Sequence, residues 1–174
     1  MDSSTAAREL ARAPLPAGSA ALLPGYLAAL EHPDALRKAH GPAHLTASGI
    51  VLDEAGTSVL LVLHGRVGLW LQPGGHVEDE DSSLAAGALR EASEETGVPG
   101  LVVDPVPVRL DRHPAPCWAQ EHLDVQFLVR APGLVAPVVS SESLDVRWWP
   151  VDALPEQRVD LGPLVAAGLA RLRA

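Results

Sequence analysis

Cysteine is nearly absent from this chain: Cys117 is the only one in 174 residues. A lone thiol cannot close an intrachain disulfide, and by the same count a cysteine-based zinc site is not expected. Aromatic residues make up only 3%, so alanine, leucine and valine must fill the interior. No apolar run is long enough to cross a bilayer, and Pro24 and Gly25 interrupt the nearest candidate. The opening Met-Asp-Ser-Ser carries no basic leader, so the expected compartment is cytoplasmic. Basic residues are in deficit, with a formal charge of −9 and a pI near 5.1. That balance argues against duplex nucleic acid or an anionic membrane as partner, since both need a basic surface. A phosphate-bearing small molecule stays open, because bound cations supply positive charge locally. The length suits one domain with a real core and is short for two.

What the chain does have is concentrated between residues 74 and 98. A glycine pair, Gly74-Gly75, leads through an acidic loop into a stretch with helical periodicity that ends at Gly97. Glu91, Glu94 and Glu95 stand at i, i+3 and i+4, which places them on one helix face. Three carboxylates there repel one another. A divalent cation turns the repulsion into coordination, because Mg²⁺ and Mn²⁺ favour hard oxygen ligands. The opposite face reads Leu84, Ala85, Ala88, Leu89 and Ala92, an apolar stripe able to pack on a core. Ser82 or Ser83 caps the start, and Gly97 suits the left-handed position after the end. Gly87 costs a helix interior about 1 kcal/mol relative to alanine, which points to a close approach by a loop or ligand. The plain alternative for the three glutamates is a solvated acidic face.

The segment resembles the box of the Nudix (MutT-like) hydrolases, G-x5-E-x7-R-E-U-x-E-E-x-G-U with U aliphatic. Gly75, Arg90, Glu91, Ala92, Glu94, Glu95, Gly97 and Val98 match in order. Asp81 stands where the first glutamate belongs, eight residues rather than seven before Arg90, with Ser82 the alternative alignment. In the family that acidic position braces the arginine, so Asp81 is expected to hold Arg90. The resemblance implies a metal-dependent hydrolase using Mg²⁺ or Mn²⁺. Its substrate is a nucleoside diphosphate linked to another group: a nucleoside triphosphate, ADP-ribose or a sugar nucleotide. It implies Glu94 and Glu95 as main metal ligands, Glu91 as a further ligand or water-orienting base, the Gly75 carbonyl in the metal shell, and Arg90 as an orienting group. Glu142, six residues before Trp148, has the spacing of a loop glutamate that reaches the metal in MutT-like members; an exposed loop residue is the alternative. A second reading of the whole chain is a catalytically silent Nudix domain that binds nucleotides and regulates, against which the complete glutamate set argues.

The rest of the chain supplies an expected frame. Residues 1–44 read as a helical N-terminal extension, with helices at 5–13 and 19–30 and a turn at 34–40. It either packs on the domain or makes a homodimer contact. Residues 45–174 read as the Nudix hydrolase domain. Strands are expected at 45–52, 58–64, 68–72, 101–110, 123–130 and 145–149, and a closing helix at 160–173 with Pro163 in its first turn. Together they give an α/β fold, a Nudix-type α/β/α sandwich with a mixed β-sheet between helices. Other polar candidates are His76, beside the glycine pair, and Glu121, His122 and Asp124; His122 and Asp124 share a strand face. Trp70 and Trp118 are the candidates for stacking on a base, with core packing as the alternative.

Overall fold

A computed structural model of the chain describes all residues except 39, 40, 116, 118, 158 and 160. Among the described residues, seven strands form one mixed sheet: β1 (Ala43–Asp53), β2 (Ser58–His64), β3 (Trp70–Leu71), β4 (Gly74–His76), β5 (Val102–Pro114), β6 (Glu121–Ala131) and β7 (Ser143–Pro150). The main order is β3-β2-β1-β6-β5, with β4 added to β1 and β7 to β2. β1 and β6 run parallel along their whole length, from Ala43 against Glu121 to Asp53 against Ala131, and the other pairs are antiparallel. A parallel pair at the centre has to be covered on both faces. Alternate residues of β1 meet that need: Leu45 and Ala47 face one layer, Ile50 and Leu52 the other.

On the first face lie α1 (Ser3–Arg12), α3 (Leu23–Ala29) and α4 (Leu84–Thr96). Ala6, Leu10, Tyr26 and Leu30 join Leu84, Ala85, Ala88 and Phe127 in one cluster. α5 (Gly162–Leu172) covers the second face with Leu164 and Val165 against Ile50, Leu52 and Leu128. The helix–sheet–helix sandwich is the expected one. The N-terminal helices pack on the domain: Glu9 accepts a hydrogen bond from the Leu84 amide, and Arg37 pairs with Asp79.

Three expectations on local structure need correction. The helix expected over 19–30 is two, α2 (Ala17–Ala20) and α3, because Pro24 has no N–H to give and is accommodated only in a first turn. The strand expected over 68–72 shrinks to Trp70–Leu71, since Gly68 takes a left-handed turn at φ 64°. Gly74 to His76, beyond the end of the expected strand, pairs with Ser48 to Thr46 as β4. The closing helix starts at Gly162 with Pro163 in its first turn; residue 160 lies outside the described residues.

Candidate functional site

The site grows from a tight contact between β4 and α4. A Cβ on Gly74 would lie 2.7 Å from Ser48 Cα, and one on Gly75 would lie 2.6 Å from Glu91 Oε1. Only glycine lets the backbone come this near to both the neighbouring strand and the helix carboxylates. α4 is held in register at both ends. Ser83 is the cap, accepting from the Ala86 amide at 3.0 Å, and Gly97 takes φ 63° after the last turn.

Glu91 and Glu95 therefore flank the glycine pair. Glu95 Oε1 accepts the Gly74 N–H at 3.3 Å. Burial pushes its carboxyl up to about 8, with repulsion from Glu91, Glu142 and Glu94 adding to the rise and the Gly74 N–H opposing it. Glu91 is raised as well, by burial first and then by Glu94 and Glu142, against the attraction of Arg90. Glu94 is the exposed member, with 61% of its side chain accessible. Glu142 sits on the loop before β7, where its carbonyl accepts the Gly65 N–H at 3.2 Å. Its charge acts on both Glu91 and Glu95, although among the described residues the four glutamates do not close to metal-ligand spacing. Like charge and burial on these carboxylates are what a hard cation relieves.

Arg90 is the cation that α4 itself supplies, and it is engaged on two edges. Its Nε and Nη2 donate to the two Asp81 oxygens at 3.1 Å each, and Nη2 also donates to the His76 carbonyl at 2.9 Å. Its Nη1 reaches Glu91 at 2.9 Å and Glu94 at 3.2 Å. Burial works against the guanidinium charge, but Asp81 and Glu91 outweigh it and hold Arg90 above its ordinary value. Asp81 thus braces Arg90 as expected, with the Glu78 amide as a further donor to its carboxylate at 2.8 Å. The longer loop is absorbed by Gly87: a Cβ there would lie 3.0 Å from Asp81 Oδ2. The close approach implied by a glycine inside the helix is that of Asp81.

The other polar candidates do not join this group. The His76 ring turns to His44, 3.0 Å away, and only its carbonyl serves Arg90. Asp124 is buried and accepts from Thr46, Ser48 and Gln126, which makes it the hub of a satisfied network inside the sheet. Glu121 pairs with Arg112. Trp70 stacks edge-on against Trp149, with Arg147 over both rings; Trp118 lies outside the described residues. The sequence reading missed the role of the His76 carbonyl, which no side-chain pattern encodes.

A family model described as NUDIX domain matches residues 42–167. No curated protein matches the sequence significantly. Solved structures do. A NUDIX-family hydrolase from Clostridium perfringens is 22% identical with a TM-score of 0.60, over 75% of this chain and 96% of that one. An ADP-ribose pyrophosphatase from Streptococcus suis is 22% identical with a TM-score of 0.58, over 75% and 92%. An Ap4A hydrolase from C. elegans is 18% identical with a TM-score of 0.57, over 74% and 97%. At these identities the likeness is one of fold.

Proposed function

The chain belongs to the Nudix family, and on that premise we propose that it is a divalent-metal-dependent hydrolase of a nucleoside diphosphate linked to another group. The substrate class spans nucleoside triphosphates and ADP-ribose or sugar nucleotides. Similarity of fold to an ADP-ribose pyrophosphatase and an Ap4A hydrolase supports that range. The observation that carries the reading is the Glu91–Glu95 pair pressed against Gly74-Gly75, with the Glu95 carboxyl pushed up to about 8. A carboxyl so raised by burial and like charge loses its proton to solvent at lower pH when a cation beside it stabilises the carboxylate.

The donor set fits Mg²⁺ or Mn²⁺, being made of carboxylates and a backbone carbonyl with no nitrogen or sulfur among them. Glu94, Glu95 and the Gly75 carbonyl would hold the cation, with Glu142 as a further ligand or a group that orients a water. A divalent cation bound there neutralises the charge that builds on the phosphate oxygens as the pyrophosphate bond breaks. Glu91, raised above the ordinary carboxylate range, orients the attacking water and accepts its proton. Arg90, clamped by Asp81 and the His76 carbonyl, fixes the direction of the Glu91 and Glu94 carboxylates.

The test is a panel of nucleoside triphosphates, dinucleoside polyphosphates, ADP-ribose and sugar nucleotides with Mg²⁺ or Mn²⁺, scored for nucleoside monophosphate and phosphate release. Turnover that needs the metal and is lost in Glu95→Gln is the expected result. No turnover on any of them with either metal refutes the reading.

A further inference from the structure

Four side chains on the far side of β4 from the glutamates converge on one point. His44 begins β1 beside its parallel partner His122 at the start of β6. His76 ends β4, which lies along the other edge of β1, and Cys117 comes from the connection between β5 and β6. The His44 and His76 Nε2 atoms are 3.0 Å apart, and Cys117 Sγ lies 3.2 Å from His122 Nε2 and 3.6 Å from His44 Nε2. All four donor atoms fall within 4.8 Å of one another. His44 and His122 are buried, His76 and Cys117 partly so.

We propose that His44, His76, Cys117 and His122 bind a zinc ion in a closed, four-ligand structural site. With Zn–N near 2.05 Å and Zn–S near 2.3 Å, a tetrahedron puts nitrogens about 3.3 Å apart and sulfur about 3.6 Å from nitrogen. The 3.6 Å separation of Cys117 Sγ from His44 Nε2 matches such an edge, those of 3.0 and 3.2 Å are a few tenths of an ångström shorter, and all six pairs lie within 4.8 Å, so small side-chain rotations complete the tetrahedron. Three imidazoles and a thiol packed this closely have few protons to share among donors that all point inward. The nitrogen and sulfur donors select a softer metal than the oxygen donors on α4, so the two centres are sorted by ligand chemistry.

The exclusion drawn from the single cysteine is corrected here, because a tetrahedral zinc site needs four donors and only one has to be sulfur. The four ligands come from three strands and a connection, and the ion would tie these together. β4 then carries one centre on each face: Gly75 against Glu91, His76 in the zinc site.

The experiment uses the full chain. Zinc content is measured on protein purified without chelator, then the metal is stripped and Co²⁺ titrated in. One tightly held equivalent is expected, with a thiolate-to-cobalt charge-transfer band and the intense visible bands of tetrahedral cobalt. Cys117→Ser loses the charge-transfer band, and His122→Ala loses the tetrahedral bands. Glu95→Gln keeps both, so the result is independent of any hydrolase activity. The partly exposed Cys117 position makes the serine variant one that folds, which a far-ultraviolet dichroism spectrum verifies. Absence of a tightly held zinc or cobalt equivalent overturns the proposal, as does a cobalt spectrum that is unchanged in Cys117→Ser.

Discussion

Replacing Glu95 by glutamine isolates the electrostatic cost built into α4. In the fold the Glu95 carboxyl stays protonated up to about pH 8, whereas in the unfolded chain it ionises near 4.5. Between those values the unfolded state gives up the proton and the folded state keeps it. Metal-free stability therefore falls as pH rises from 4.5 towards 8, and levels off above. Each unit is worth about 1.4 kcal/mol, so this one group lowers stability by at most about 5 kcal/mol at high pH relative to pH 4. Glutamine preserves the shape and the acceptor for the Gly74 N–H and never ionises. Glu95→Gln is thus expected to match wild type near pH 5 and to exceed it by up to several kcal/mol at pH 9. The assay is urea unfolding in chelator across pH 5–9, read as the difference between the two proteins. Taking that difference cancels the titration of His113, His76 and His122, which both share. Adding Mg²⁺ should stabilise wild type far more than the variant. Parallel pH profiles for the two proteins would refute the reasoning.

Further outcomes test other parts of the site. Asp81→Asn removes the charge that holds the Nε–Nη2 edge of Arg90 and is expected to cost about 2 kcal/mol in urea unfolding. Gly74→Ala meets Ser48 backbone and should cost about 2 kcal/mol or more of stability. Gly75→Ala meets the Glu91 carboxylate and not backbone, so it should cost less stability than Gly74→Ala while weakening Mn²⁺ binding in a calorimetric titration. Glu142→Ala should lower turnover and leave the tightest Mn²⁺ affinity unchanged, because its loop position depends on what is bound. Unchanged turnover in that variant would make Glu142 an ordinary loop residue.

The sequence by itself determined the family, the layers and the order of most elements. Glu91, Glu94, Glu95 and the stripe from Leu84 to Ala92 were legible because helical spacing is local: residues three and four apart share a face whatever surrounds them. The caps at Ser83 and Gly97 follow from equally local backbone chemistry. Tertiary structure decided what depends on pairing between distant segments. β4 exists only because β1 offers it an edge, and a strand of two glycines and a histidine has no alternation to reveal it. The pairing of Asp81 with Arg90 across an altered spacing needed Gly87 to make room. The meeting of His44, His76, Cys117 and His122 is the extreme case. No spacing along the chain marks those four residues, because the parallel register of β1 and β6, together with the place of β4 beside β1, is what brings them to one point.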